Sequence, residues 1–166
     1  VTATGNGTSG IIGGFDNLGG TSAIEHSTFS ATGNGAPGTD VVAISALGGT
    51  ITIHSSLLSA LSGQSTNRAL DLENATASVA ASVLSATGGA PNLAYFVNGG
   101  VATTMTIVAS RLDGGIQLSG TSARTLTLDD SLVTGGISIT TSGGSATLTI
   151  SSTRVDGVVI LNTSAT

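Results

Sequence analysis

Residues 125–136 read TLTLDDSLVTGG and residues 147–157 read TLTISSTRVDG. Each has a period-two segment of Thr and aliphatic residues, then a hydroxyl residue, a Val and a Gly at matching offsets. The same frame recurs upstream, opening on TSAI (21–24), TITI (50–53), TASV (76–79) and TMTI (104–107). The last residues of the six segments are Ile24, Ile53, Val79, Ile107, Leu128 and Ile150, spaced 29, 26, 28, 21 and 22 residues apart. Self-similarity at a period of roughly 20–50 residues marks a repeat architecture, in which one unit stacks on the next.

Columns counted from that last aliphatic residue extend the match. Three before it stands Thr in all six repeats: Thr21, Thr50, Thr76, Thr104, Thr125 and Thr147. Three after it stand Ser27, Ser56, Ser82, Ser110, Ser131 and Thr153. Five after it stand Phe29, Leu58, Leu84, Leu112, Val133 and Val155, and seven after it Ala31, Ala60, Ala86, Gly114, Gly135 and Gly157. Within a repeat the aliphatic positions alternate with Thr, which puts one set inside and the other outside on a strand. A second strand follows, as in Ser-Arg-Leu-Asp-Gly at 110–114, and then a third: Ile116 and Leu118, Ile137 and Ile139, Val159 and Leu161, and upstream Val42 and Ile44, Leu70 and Leu72. Gly is too frequent, and i, i+3, i+4 spacing too rare, for helices. An antiparallel sandwich has no reason to keep Thr, Ser and Leu in register from repeat to repeat, whereas a parallel solenoid does. The expected fold is all-β: a right-handed parallel β-helix of about six coils of three short strands. At about 4.8 Å per coil the rod is about 29 Å long.

The first three repeats are longer between second and third strands, at 33–38, 61–68 and 88–92, and the last ones shrink there to a bare Gly-Gly. The string ATGNG occurs at 3–7 and at 31–35, so the chain is expected to begin part-way through a coil. It starts at Val1, and neither end reads as the polar cap a solenoid needs. Residues 1–166 are therefore expected to be one segment of a longer protein.

The patterns TLTLDDSLVTGG and TLTISSTRVDG resemble right-handed β-helix proteins: autotransporter passenger domains, filamentous haemagglutinin-type adhesins, and phage tail fibres and tailspikes. The resemblance is architectural and covers nearly the whole chain. The Ser/Thr/Gly richness, with no Cys or Trp, is similar to autotransporter passengers in particular. It implies an extracellular, cell-surface or virion location and a structural or adhesive role. Fold alone does not imply function.

Composition narrows the partners. Net charge is -5 with no lysine, so nucleic acid is disfavoured. No run of about 18 apolar residues is present to span a bilayer as a helix. Without cysteine there is no disulfide and no thiolate metal site. Aromatic residues are only Phe15, Phe29, Tyr95 and Phe96, so the core is expected to be aliphatic and narrow.

Recognition is expected on the variable loop edge, at Asn34, Gln64, Asn67, Arg68, Asn92 and Tyr95, with Phe96 nearby, because loops carry contacts on a rigid scaffold. The partner expected there is a cell-surface glycan or protein. Four residues after the aliphatic column, Leu57 and Val83 form an outward apolar stripe, which suggests self-association or ordinary surface residues. Thr50/Thr52, Thr104/Thr106, Thr125/Thr127 and Thr147/Thr149 form outward Thr-x-Thr pairs. They resemble the ice-binding faces of β-helical antifreeze proteins, and equally suit an exposed strand.

Asp113 and Asp156 lie two coils apart, about 9–10 Å, which is near the carboxylate separation of inverting glycosidases. Each has an Arg two residues before it, Arg111 and Arg154, which a surface ion pair explains. The Ser column is expected to be an internal hydroxyl ladder, because no base is positioned for a Ser nucleophile. His26 and His54 fall in different columns, Glu25 stacks on His54, and no metal-ligand spacing emerges. Gly-Asn-Gly and Pro-Gly-Thr-Asp read as turns. The chain is thus read as non-enzymatic, without metal or cofactor.

Overall fold

Thr and Val/Ile/Leu alternation makes each repeat half-buried strand, and glycine, asparagine and serine break it into short pieces. The computed structural model describes residues 2–5, 10–33, 39–63, 66–88 and 91–164, with side chains described from Gly13 onward. It is an all-β parallel solenoid of about six turns. The strands begin with β1 (Thr2–Gly5), β2 (Gly10–Asn17), β3 (Thr21–Glu25), β4 (Thr28–Gly33), β5 (Thr39–His54) and β6 (Leu57–Ser62). They continue as β7 (Thr66–Ala80), β8 (Val83–Thr87), β9 (Asn92–Asn98), β10 (Thr103–Val108), β11 (Arg111–Asp113) and β12 (Gly115–Gly120). The last are β13 (Arg124–Asp129), β14 (Leu132–Val133), β15 (Ile137–Ser142), β16 (Ala146–Ser151), β17 (Arg154–Val155) and β18 (Val159–Ser164).

Three faces result. The first holds the Thr strands: β3, the second halves of β5 and β7, then β10, β13 and β16. The second is the seven-stranded sheet β1-β4-β6-β8-β11-β14-β17. The third holds β2, the first halves of β5 and β7, then β9, β12, β15 and β18. Because β5 and β7 run unbroken through a corner, the first and third faces form one 11-stranded sheet.

The registers agree with the sequence columns. Ile24 pairs with Ile53, Ile53 with Val79, Val79 with Ile107, Ile107 with Leu128 and Leu128 with Ile150. Phe29, Leu58, Leu84, Leu112, Val133 and Val155 stack in the same way. Ala3 pairs with Ala31 and Gly5 with Gly33, as the repeated ATGNG string requires. One reading needs correction. The third-strand pair of the second coil is Ile44 and Ala46, not Val42 and Ile44, because Ile44 aligns with Leu70 and Tyr95, and Ala46 with Leu72 and Val97. Val41, Val42, Ala43 and Ile44 are all fully buried, so the period-two pattern is interrupted there.

The Ser column is the internal ladder expected of it. The Ser27 N–H donates to Ser56 Oγ, Ser56 N–H to Ser82 Oγ, Ser82 N–H to Ser110 Oγ, Ser110 N–H to Ser131 Oγ and Ser131 N–H to Thr153 Oγ1, each at 3.1 Å. The five Ser hydroxyls donate in turn to the carbonyl two residues back in their own coil, at 2.7–2.8 Å. The residue before each rung is left-handed: His26, Ser55, Ala81, Ala109, Asp130 and Ser152 have φ between 46° and 49°. A left-handed non-glycine residue costs about 1–2 kcal/mol. The ladder and the cross-coil bonds of these same residues, such as Ala81 N–H to Val108 O at 3.0 Å, offset that cost. Replacing Ser110 by Ala leaves the buried Ser82 N–H without its acceptor, for an expected loss of about 1–3 kcal/mol. Hydrogen exchange would report it as faster exchange at Ser82 than at Ser56, and equal protection would show that the rung carries nothing.

Candidate functional site

The third face carries the polar side chains that meet in one place. Its outward rows are set by register: Ser45, Asp71 and Phe96 align in one row, and Leu47, Glu73 and Asn98 in the next. Arg68 reaches along the strand to Asp71 (Nη1 to Oδ2, 2.8 Å) and across to Asp40 (3.0 Å). Its guanidinium carbon lies 4.3 Å from the Phe96 ring centroid, within cation–π range. Together Ser45, Leu47, Arg68, Asp71, Glu73, Phe96 and Asn98 line a concavity of about 270 Å³. Burial raises the pKa of Asp71 against the opposing pull of Arg68. The patch holds three carboxylates, Asp40, Asp71 and Glu73, against one guanidinium, and the apolar surfaces of Leu47 and Phe96 border them. Such a surface offers hydrogen-bond donors, acceptors and a C–H-compatible wall within one small hollow.

The structure separates the residues expected on the loop edge. Arg68 is in the concavity, and Phe96 with it. Asn67 is fully buried, and its Nδ2 donates to Asn92 Oδ1 and to Thr87 O, both at 2.9 Å. Asn67 and Asn92 therefore tie two coils together from within. Tyr95 is fully buried in the column of Ile44, Leu70 and Ile116, and burial raises its phenol pKa. It is a core residue and offers no surface. Asn34 and Gln64 lie outside the described residues.

The Thr-x-Thr pairs stand in register on the first face. Thr50, Thr52, Thr104, Thr147 and Thr149 are exposed, and Thr106, Thr125 and Thr127 are half-buried. Only Ala23 and Ser78 interrupt the array. Hydroxyls repeat at about 6.6 Å along the strands and about 4.8 Å between them.

On the second face Leu57 and Leu61 are 40% and 45% exposed, with Val83 half-buried alongside. Arg111 Nε grips both carboxylate oxygens of Asp113 at 2.8 and 3.0 Å, and Arg154 Nε holds Asp156 at 2.6 Å. A more open groove of about 470 Å³ follows the corner between first and second faces, floored by Ala81, Ala109 and the Ser ladder. The rings of His26 and His54 meet edge to face with centroids 6.1 Å apart. Among the described residues no three His, Asp or Glu side chains are grouped to hold a metal ion, and no helix is long and apolar enough to cross a membrane.

Sequence reasoning passed over Arg124. It is fully buried at the corner between third and first faces. Its guanidinium donates to the carbonyls of Ser119 (2.8 and 3.0 Å), Val101 (2.6 Å), Ala123 (3.3 Å) and Gly99. Burial lowers its pKa. The available signal was its column: Arg124 aligns with Thr103 and Ala146, four residues before the aliphatic position, with inward parity.

Comparison with family models, with curated proteins and with solved structures finds no match to this chain.

Proposed function

We propose that this chain is a non-enzymatic structural and adhesive segment of an extracellular β-helix protein, of the bacterial surface-adhesin or phage-fibre kind. It acts as a rigid rod, and its recognition spot is the hollow around Arg68 and Phe96. The observation that carries this reading is that hollow: a mixed polar and apolar concavity, on a face otherwise built of regular stacked strands. A cell-surface glycan is the partner class its chemistry fits. Planar carboxylates and a guanidinium pair with sugar hydroxyls, and Leu47 with Phe96 meets the C–H edge of a ring. At about 270 Å³ the hollow takes one ring-sized unit, below the roughly 300–1,000 Å³ of drug-sized sites. The Leu57–Leu61–Val83 stripe on the second face is where a second copy would pack.

Screening the purified chain against immobilised glycans tests the reading. The expected result is retention on a restricted group of glycans, weakened about tenfold or more by Leu47→Arg, as for a central contact. Circular dichroism should be unchanged, because Leu47 is half exposed. Retention on no glycan and on no cell surface, at high protein concentration, would sink it.

A second reading, ice binding, is favoured by the shared register of the Thr columns, interrupted at Ala23 and Ser78. A rigid ladder of hydroxyls and methyls is suited to ordering water. It predicts thermal hysteresis and faceted ice crystals, both abolished by Thr127→Tyr. Plain, disc-shaped ice growth would reduce the columns to ordinary strand surface.

A further inference from the structure

We infer that Asn98 is a self-modifying position, which converts through a succinimide to aspartyl and isoaspartyl forms and adds a carboxylate to the third-face hollow. Four observations carry this. Asn98 is followed by Gly99, which has no Cβ to obstruct attack on the preceding side chain. Gly99 sits at φ +130°, a conformation open to glycine and rarely to other residues. Asn98 is exposed, so solvent base and water reach it. The Gly99 N–H donates to Asn98 Oδ1 at 2.8 Å, which holds the side-chain amide against the nitrogen that must attack it.

The chemistry needs only water. The Gly99 nitrogen gives its proton to hydroxide and attacks Asn98 Cγ. The N–Cγ bond forms, the Cγ–Nδ2 bond breaks, and ammonia leaves with a proton from water. One water then opens the ring. Cleavage of the new N–Cγ bond gives an ordinary aspartyl residue at this position. Cleavage between that nitrogen and the Asn98 main-chain carbonyl gives isoaspartate, with the chain rerouted through Cγ. The net change is one water consumed and one ammonia released.

The other described asparagines lack this arrangement. Asn17, Asn67, Asn74, Asn92 and Asn162 are each followed by a residue with a side chain. Asn67 is fully buried, and Asn74 Oδ1 already accepts from Gly100 and Val101. The consequence falls on named neighbours. Asn98 aligns with Glu73 and lines the hollow with Asp71, so conversion makes that surface more acidic. The isoaspartyl form also lengthens the main chain beside Gly99, whose carbonyl Arg124 holds.

The test is to age the folded protein in heavy-oxygen water at neutral and mildly alkaline pH, then map peptides by mass spectrometry. Asn98 should acquire heavy oxygen about tenfold faster than Asn74 or Asn92, a difference of about 1.4 kcal/mol in barrier. The rate should rise with pH, and both aspartyl and isoaspartyl peptides should appear. An Asn98→Gln variant, which lacks the five-membered path, should keep its amide while the rest of the map is unchanged. An Asn98 amide as persistent as those of Asn74 and Asn92, or conversion without isoaspartate, would overturn the inference.

Discussion

Replacing Arg124 by Met should cost about 3 kcal/mol, the upper end of the cost of leaving buried acceptors without a donor. The guanidinium is fully buried and faces carbonyls rather than a carboxylate. Its attraction to those dipoles is what compensates its desolvation. Met fills much of the volume but leaves the carbonyls of Gly99, Val101 and Ser119 without this donor, in a corner where two successive coils turn. Gly120 belongs to the same design, since a Cβ there would fall on the Arg124 guanidinium and on Gly99 O. Arg124→Lys should lose less than Met but recover little, because one ammonium cannot span the forked set of acceptors. Urea unfolding followed by circular dichroism gives the global value. Stacked repeats unfold with limited cooperativity, so hydrogen exchange at Thr103 and Arg124, whose amides donate to Ala123 O and Ser145 O, would localise the effect. A loss under about 1 kcal/mol would mean that water enters and replaces the guanidinium.

The same corner explains what could be read from the sequence. Columns of one chemical type announced themselves: aliphatic at Ile24 to Ile150, Thr before them, Ser after them. Stacking puts identical environments in line, so identical residues are selected. The left-handed column, His26, Ser55, Ala81, Ala109, Asp130 and Ser152, has no common chemistry, because what it shares is a backbone conformation. Its trace was the constant three-residue step from aliphatic column to Ser while the rest of the coil varied in length. Arg124 went unread, and Tyr95 was expected on the loop edge, for a different reason. Each is a polar or amphipathic residue in a column otherwise inward, and type suggested surface where parity said core. For Tyr95 the parity was also masked, since the interruption at Ala43, Ala69 and Ala94 shifts the count between loop and strand. Counting back two from Val97, which aligns with Leu72 and Leu118, places Tyr95 inside. The third-face hollow was half legible: Arg68 and Phe96 were within the loop-edge region, but Glu73 lies further along β7 and Asp40, Ser45 and Leu47 come from β5, and only the register brings them together.

Register also gives the second large effect, at Gly135. Seven residues after the aliphatic position the column changes from Ala31, Ala60 and Ala86 to Gly114, Gly135 and Gly157. The change coincides with the shortening of the coil. Where a long connection follows, the chain leaves the corner with room for a methyl, and the three Ala side chains are almost fully buried there. Where β12, β15 and β18 follow almost at once, successive coils cross backbone on backbone. A Cβ at Gly135 would lie 2.5 Å from Gly115 N and 2.6 Å from Gly114 C, contacts no rotamer can relieve. Gly135→Ala is therefore expected to cost about 3 kcal/mol or more, at the top of the range for overpacking. Ala86→Gly, in the same column of a long coil, removes one buried methyl and loosens the backbone, for about 1–2 kcal/mol. Urea midpoints of the two variants separate the explanations. A clear excess for Gly135→Ala means that backbone proximity, set by coil length, dictates glycine in this column. Equal losses would mean that the short coils tilt apart to admit the methyl, and that the Ala-to-Gly change follows coil length without being required by it.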